Sequence, residues 1–278
     1  MANEELIADL KGIALQLRRN VLEMIGVGKA GHWAGSVSLA EVIAVLYFHS
    51  MRIDRTNPRN PERDRLLLSK GHAALIQYAA LCELGYFPRA ELQRVKSLDG
   101  LLQGHPDLTV PGIEAVTGSL GQGLSLGVGM ALALRLDKKT SRVYVVMGDG
   151  EQSEGQLWEA SMAASNFKVD NLTAFIDWNK IQATGRTDEI FGIPHLDQKW
   201  RAFGWEVISV DGHDIEKIIA AIDLAKTVKG KPTLIILDTI KGKGVSFTED
   251  TPAYHNGTFD DARYAQAKAE LDAQKANI

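Results

Sequence analysis

Apolar residues from position 4 to position 26 recur at helical spacing: Leu6, Ile7, Leu10, Ile13, Ala14, Leu17, Val21 and Met24. Such a stripe predicts an amphipathic helix with one face on a core. Asn3 is placed to cap it, and Gly26 and Gly28 to end it. Ser38-Leu-Ala-Glu41 has capping-box spacing and predicts a second helix running through Tyr47. After the polar stretch RTNPRNPERDR the period changes. Short apolar runs follow: LLL (66–68), VYVVM (143–147), LTAFID (172–177), EVISV (206–210) and TLIILD (233–238). Helical patterns fall between them near 72–85, 121–136, 155–167, 195–203 and 214–228, and an exposed closing helix is predicted over 260–277. Continuous apolar strands alternating with helices predict an α/β fold, an open, mostly parallel sheet with helices on both faces. Neither an internal repeat nor a low-complexity linker divides the chain, so residues 1–278 read as a single domain.

Composition narrows the picture a little. With 31 Lys and Arg against 35 Asp and Glu, the net charge of −4 gives no electrostatic reason to expect a nucleic acid or an anionic membrane. The one cysteine, Cys82, excludes an internal disulfide or a cysteine-ligated metal cluster and reads as a core filler. MANEELIADLKG has no basic patch or apolar run of signal-peptide type, so the expected location is cytoplasmic. Residues 115–134 are uncharged for about the length of a bilayer span. Thr117, Ser119, Gln122, Ser125 and glycines at 118, 121, 123, 127 and 129 make this stretch too polar and too glycine-dense for lipid. It predicts a glycine-rich turn leading into a fully buried helix.

In open parallel sheets, ligands bind beyond the carboxyl ends of the strands. VYVVM is followed by Gly148-Asp149-Gly150, and LTAFID by Trp178-Asn179-Lys180-Ile181. If those strands are neighbours, Asp149, Asn179 and a backbone carbonyl offer the hard oxygen donors that Mg²⁺ or Ca²⁺ prefers. The glycines would let a diphosphate approach backbone amides. A plain strand-to-helix turn accounts for Gly-Asp-Gly equally well. Lys241-Gly-Lys-Gly follows TLIILD, so Lys241 or Lys243 is either a phosphate contact at the same edge or a solvated lysine. Neither a Rossmann fingerprint nor a Walker A spacing is present. Of seven histidines, His32, His72, His105 and His213 each follow a glycine, and His255 precedes Asn-Gly. No HExxH-type spacing occurs, which argues against zinc and for hydrogen bonding and proton shuttling along a cleft. His49 reads as structural, and His195 and His213 as ends of local elements.

Taken together, these stretches resemble the N-terminal, diphosphate-binding part of the transketolase family. The matching segments are GHWAGS (31–36), DRLLLSKGHA (64–73), QGHPD (103–107), TGSLGQGLS (117–125), GDGEQSEGQLWEA (148–160), DWNKIQATG (177–185), VDGHD (210–214), KGKG (241–244) and YHNG (254–257). They occur in family order across nearly the whole chain. The resemblance implies the thiamine diphosphate-binding fold and that cofactor, with Mg²⁺ (or Ca²⁺ or Mn²⁺) held by Asp149, Asn179 and the Ile181 carbonyl. It implies diphosphate contacts from Gly150, His72 and Lys241, and a thiamine-lining segment Gly118-Ser119-Leu120. His32, His105 and His255 resemble the family's active-site histidines, His255 also lying near the cofactor. Glu154, also placed at the cofactor site, and Glu159 match acids of the family's subunit interface; read without the resemblance, they are first-turn helix acids favoured by the dipole. Two departures, Trp33 after the first histidine and Ala183-Thr184-Gly185 after the Asn-x-x-Gln stretch, are expected to alter the pocket's shape.

The implied activity is transfer of a two-carbon ketol unit from a ketose to an aldose, with thiamine diphosphate supplying the reactive carbon. In the family, the glutamate beside the cofactor's pyrimidine ring lies on a second domain. The chain stops at Ile278, well short of such a domain, which leads to the expectation of a split transketolase. Its partner would be a C-terminal subunit carrying the pyrimidine-binding domain, in an α2β2 heterotetramer. Two alternatives stay open, the cofactor-binding subunit of a 2-oxo-acid dehydrogenase or related synthase, and a non-catalytic regulatory module of the same fold. Donor and acceptor also stay open among ordinary sugar phosphates, apulose phosphate and sulfonated sugars.

Overall fold

The computed structural model describes residues 3–275, so positions 276 and 277 of the predicted closing helix lie outside the described residues. Five parallel strands form one sheet: β1 Arg65–Leu68, β2 Val143–Gly148, β3 Leu172–Trp178, β4 Glu206–Asp211 and β5 Thr233–Asp238, in the order β1-β2-β3-β5-β4. Each strand matches a predicted apolar run to within two residues. Side chains alternate across the sheet. Leu66, Leu68, Val146, Phe175 and Ile235 join one core, and Leu67, Val145, Ala174 and Ile236 join the other. Burial on both faces is why these strands read as continuous apolar runs.

The first core is covered by α1 (Glu4–Ile25), α2 (Trp33–Val37), α3 (Ala40–Val45), α4 (Ala74–Glu83), α9 (Ile215–Thr227) and α10 (Asp261–Gln274); the second by α5 (Gln122–Leu136), α6 (Gly155–Asn166) and α8 (Leu196–Ala202). A short helix, α7 (Thr187–Phe191), lies outside both cores. Asn3 caps α1 through a side-chain bond from the Glu5 amide. Gly127 brings α5 against β2, where a Cβ would stand 2.4 Å from Val145 Cγ2. Among the described residues no helix is long and apolar enough to cross a membrane.

Three local expectations are corrected. The capping box does not form. Ser38 Oγ instead donates to Asp177 Oδ2 (2.7 Å), and Glu41 is taken by Arg18, so long-range partners outcompete the local motif. The region splits into α2, α3 and a π-helical turn at Leu46–Ser50, which leaves His49 exposed at its end. The glycine-rich helix is buried on one face only, with Leu126 and Leu136 exposed on the other. Helix α10 is largely exposed; Ala267 and Leu271 enter the core and Tyr264 packs against its edge. Cys82 is half-buried and packs at the core's edge.

The Arg18–Glu41 pair is buried between α1 and α3, with two nitrogen–oxygen contacts of 2.7 and 2.8 Å. Burial alone would raise the Glu41 pKa, but the guanidinium and a hydrogen bond from His213 hold it down at about 2. Its carboxylate therefore stabilises the fold above its ordinary pKa, a contribution lost as pH falls toward 2. Glu41→Gln leaves a buried guanidinium without its counter-charge. The expected cost is about 3 kcal/mol, read as a lower urea midpoint at pH 7.

Candidate active site

The carboxyl ends of β1, β2, β3 and β5 converge on a cavity of about 380 Å³. The register pairs Gly148 with Asp177, which brings the residues just beyond β2 and β3 to one edge. His32, His72, Gly118, Leu120, Asp149, Gly150, Glu154, Asn179, Ile181, Lys241 and His255 all line this cavity. His105 is exposed and outside the lining, with its ring 6.4 Å from that of His32 and its edge against Gly118. Ser119 is exposed and lies outside the lining, and Glu154 and Glu159 are exposed on the first turns of the α6 segment.

Asp149 is a buried acid. Its carboxylate accepts from the amides of Gly150 (2.7 Å) and Lys180, and burial together with the Asp177 charge pushes its pKa up to about 6. Asn179 Nδ2 donates to Asp177 Oδ2 (2.9 Å), which fixes the amide's orientation; its Oδ1 accepts from the Ile181 amide at 3.1 Å and keeps a second lone pair. The Ile181 carbonyl accepts from Lys241 Nζ. A buried carboxylate, an oriented amide oxygen and a backbone carbonyl make a hard-oxygen donor set that fits Mg²⁺. Of the two candidate lysines, Lys241 is buried at the site and Lys243 sits outside near Glu249. Burial and the neighbouring Lys70 lower the Lys241 pKa to about 8, so it stays charged at neutral pH and favours an anion there.

The histidines form a cluster. Ring centroids of His32 and His72 are 5.1 Å apart, His72 and His255 5.1 Å, and His32 and His255 5.4 Å. Burial, then nearby lysines and histidines, lower His32 to about 4, His72 to about 2 and His255 to about 3. All three are neutral imidazoles at pH 7, each able to donate from one nitrogen and accept at the other. Lys241 Nζ lies 2.9 Å from His255 Nδ1. An ammonium can only donate, so Nδ1 is the acceptor and Nε2 carries the proton.

This cluster makes the chain acid-sensitive. The unfolded chain takes up protons as pH falls through 6.5, whereas folded His72 does not until about 2. The stabilisation is thus present above 6.5 and erodes below it. Between pH 7 and 5 His72 alone removes about 2 kcal/mol. His32 and His255 act in the same direction, weakened by solvent. Urea melts at the two pH values should show wild type losing about 2 kcal/mol more than His72→Asn.

Sequence reasoning missed a layer beneath the cavity. Asp177 is fully buried and accepts from Lys70 Nζ, Ser38 Oγ, Thr239 Oγ1 and Asn179 Nδ2. Despite burial, these donors hold its pKa below the usual carboxylate range. Lys70 itself lines the cavity, and its Nζ also donates to the Gly35 carbonyl at 2.8 Å. Both residues adjoin strand ends, which is the signal that would have found them. The departure at Trp33 does not reshape the pocket. The indole is fully buried away from it, donating to Thr248 Oγ1 (3.0 Å) and packing on Phe259. Ala183 and Thr184 do line the cavity.

An all-parallel sheet with an acid, an asparagine, a lysine and a histidine cluster at one edge is an arrangement suited to a diphosphate cofactor. The model of the transketolase thiamine diphosphate binding domain matches residues 11–277, and the chain belongs to that family. The 6-deoxy-6-sulfo-D-fructose transketolase subunit of Clostridium sp. (strain MSTE9) is 48% identical over 269 residues, covering 96% of this chain and 98% of that one. An apulose-4-phosphate transketolase subunit of Phocaeicola vulgatus is 41% identical over 254 residues, 91% of this chain and 90% of that one. The crystal structure of Campylobacter jejuni transketolase superposes with a TM-score of 0.89 at 31% identity, over 98% of this chain but 43% of that one. This chain therefore spans under half the length of that transketolase and about the full length of the two subunits.

Proposed function

We propose that this chain is the N-terminal subunit of a split transketolase. With a C-terminal partner in an α2β2 complex, it transfers a two-carbon ketol unit from a ketose to an aldose. The observation that carries the reading is the convergence of Asp149, Asn179 and the Ile181 carbonyl with three neutral histidines in one cavity. The full-length match to two proteins named as subunits supports the division of labour.

When bound, thiamine diphosphate supplies the nucleophilic carbon and electron sink for the reaction. Asp149, Asn179 and the Ile181 carbonyl would hold Mg²⁺, and Lys241, His72 and the Gly150 amide would hold the diphosphate. Gly118 and Leu120 would line the thiamine. Uncharged imidazoles suit sugar hydroxyls, because they accept from one oxygen and donate to another without a desolvated charge. His255, with Nε2 protonated, donates to a substrate oxygen, with His32 beside it in the cluster and His105 beyond His32. The donor we place first is a ketose of the 6-deoxy-6-sulfofructose type, on the strength of the 48% identity.

Reconstitution tests this. Mixed with its partner, Mg²⁺ and thiamine diphosphate, the chain should transfer a ketol unit from 6-deoxy-6-sulfofructose to an aldose phosphate. Transfer only from ordinary ketose phosphates would overturn the substrate choice, and no transfer from any ketose would overturn the activity.

A further inference from the structure

The loop after β5, residues 239–244, carries Lys241 into the cavity, and two distant side chains grip it on either side of that lysine. The Ile240 amide donates to His213 Nε2 at 2.9 Å. The Lys243 carbonyl accepts from Arg18 Nε at 3.0 Å. Both grips meet at Glu41, whose carboxylate holds Arg18 at 2.7 and 2.8 Å and lies 3.0 Å from His213 Nδ1. A carboxylate only accepts, so Nδ1 carries the His213 proton and Nε2 is left as the bare acceptor that Ile240 needs. The result is a closed ring of hydrogen bonds from the Ile240 amide through His213, Glu41 and Arg18 to the Lys243 carbonyl.

Between the two grips the backbone has little freedom. Gly242 has φ +79, its amide donates to the Ala34 carbonyl (3.1 Å), and a Cβ there would stand 2.0 Å from the Thr248 carbonyl oxygen. From this pinned loop the buried Lys241 side chain reaches the Ile181 carbonyl and His255 Nδ1. His213 touches none of the residues assigned to the cofactor. Its contacts end on the backbone of the residue before Lys241.

We propose that His213, its tautomer set by the Arg18–Glu41 pair, is a positioning residue that holds the 240–243 loop so that Lys241 presents its ammonium to the cofactor diphosphate. This rests on the thiamine diphosphate reading given above. A cluster that only stabilised the fold would act on the whole chain and not on Lys241 in particular.

The test uses the reconstituted complex and calorimetry with Mg²⁺ and thiamine diphosphate. His213→Ala should weaken cofactor affinity roughly tenfold to a hundredfold, the range for groups that orient a ligand-contacting residue. His213→Gln, whose amide can accept from Ile240 and donate to Glu41, should restore most of it. The double variant H213A/K241A should bind no more weakly than Lys241→Ala alone, because the two residues act in series. Unchanged affinity in H213A, fully additive losses, or a Gln variant as weak as Ala would each overturn the proposal. Hydrogen exchange on the chain without cofactor supplies a second readout. Amides of 240–243 should exchange faster in H213A with β5 unchanged, and equal loop protection would also overturn it. Should H213A fail to fold, His213→Asn, too short to span from Glu41 to Ile240, carries the same comparison. A wild-type complex without cofactor affinity would show, before any variant is compared, that the cofactor reading itself had failed.

Discussion

Asp149→Ala is expected to abolish measurable thiamine diphosphate binding by the complex, a loss of at least about a hundredfold. Asp149 is the only carboxylate in the donor set, and the other two members, the Asn179 amide and the Ile181 carbonyl, are neutral. A divalent cation bridging protein and diphosphate needs formal negative charge from the protein side to hold it against water. The same carboxylate accepts from the Gly150 and Lys180 amides and so also shapes the turn that would face the diphosphate. Asp149→Asn preserves an acceptor for those amides while removing the charge, and it should bind nearly as poorly as the alanine variant if charge is what matters. Calorimetry with Mg²⁺ and thiamine diphosphate reads both. Wild-type affinity in Asp149→Ala would place the metal elsewhere.

The second large effect concerns the partner. The chain alone, supplied with Mg²⁺, thiamine diphosphate, ketose and aldose, should show no ketol transfer above background, and addition of the C-terminal subunit should raise the rate by at least about 10³-fold, within the span typical of catalytic machinery. The physical reason lies in the acids that line the cavity. Asp149 is assigned to the metal. Glu151 is buried with its oxygens taken by Ser69 Oγ and the amides of Gly121 (2.8 Å) and Gly148 (3.0 Å). Glu154 is exposed to solvent. No lining carboxylate is thus both unoccupied and desolvated, as a raised-pKa general acid requires. Full turnover by the chain alone would refute the division of labour between subunits.

Much of the architecture was legible in the residues. Strands buried on both faces must be apolar throughout, so VYVVM and TLIILD marked β2 and β5 without reference to anything distant. The rule that ligands gather beyond strand ends pointed to Asp149, Asn179 and one of Lys241 and Lys243 before their neighbours were known. Where local reasoning failed, a long-range partner had intervened. Ser38 and Glu41 have capping-box spacing, yet Asp177 and Arg18 claim their side chains. Trp33 departs from the family pattern beside the cavity-lining His32, yet it turns into the core toward Phe259. Lys70 and Asp177 also stand at strand ends, but their pairing across 107 residues became visible only in the folded chain.

By itself, then, the sequence determined the periodicities, the parallel α/β class and which chemical groups stand at the ends of the strands, since these depend on neighbours a few residues away. Tertiary structure alone decided which groups meet and what charge each carries. The His72 imidazole is neutral because folding desolvates it beside Lys70 and His255. His213 has one bare nitrogen because Glu41, 172 residues earlier, accepts from the other. Protonation states and hydrogen-bond roles follow from burial and from contacts across the whole chain, and no local pattern of residues encodes them.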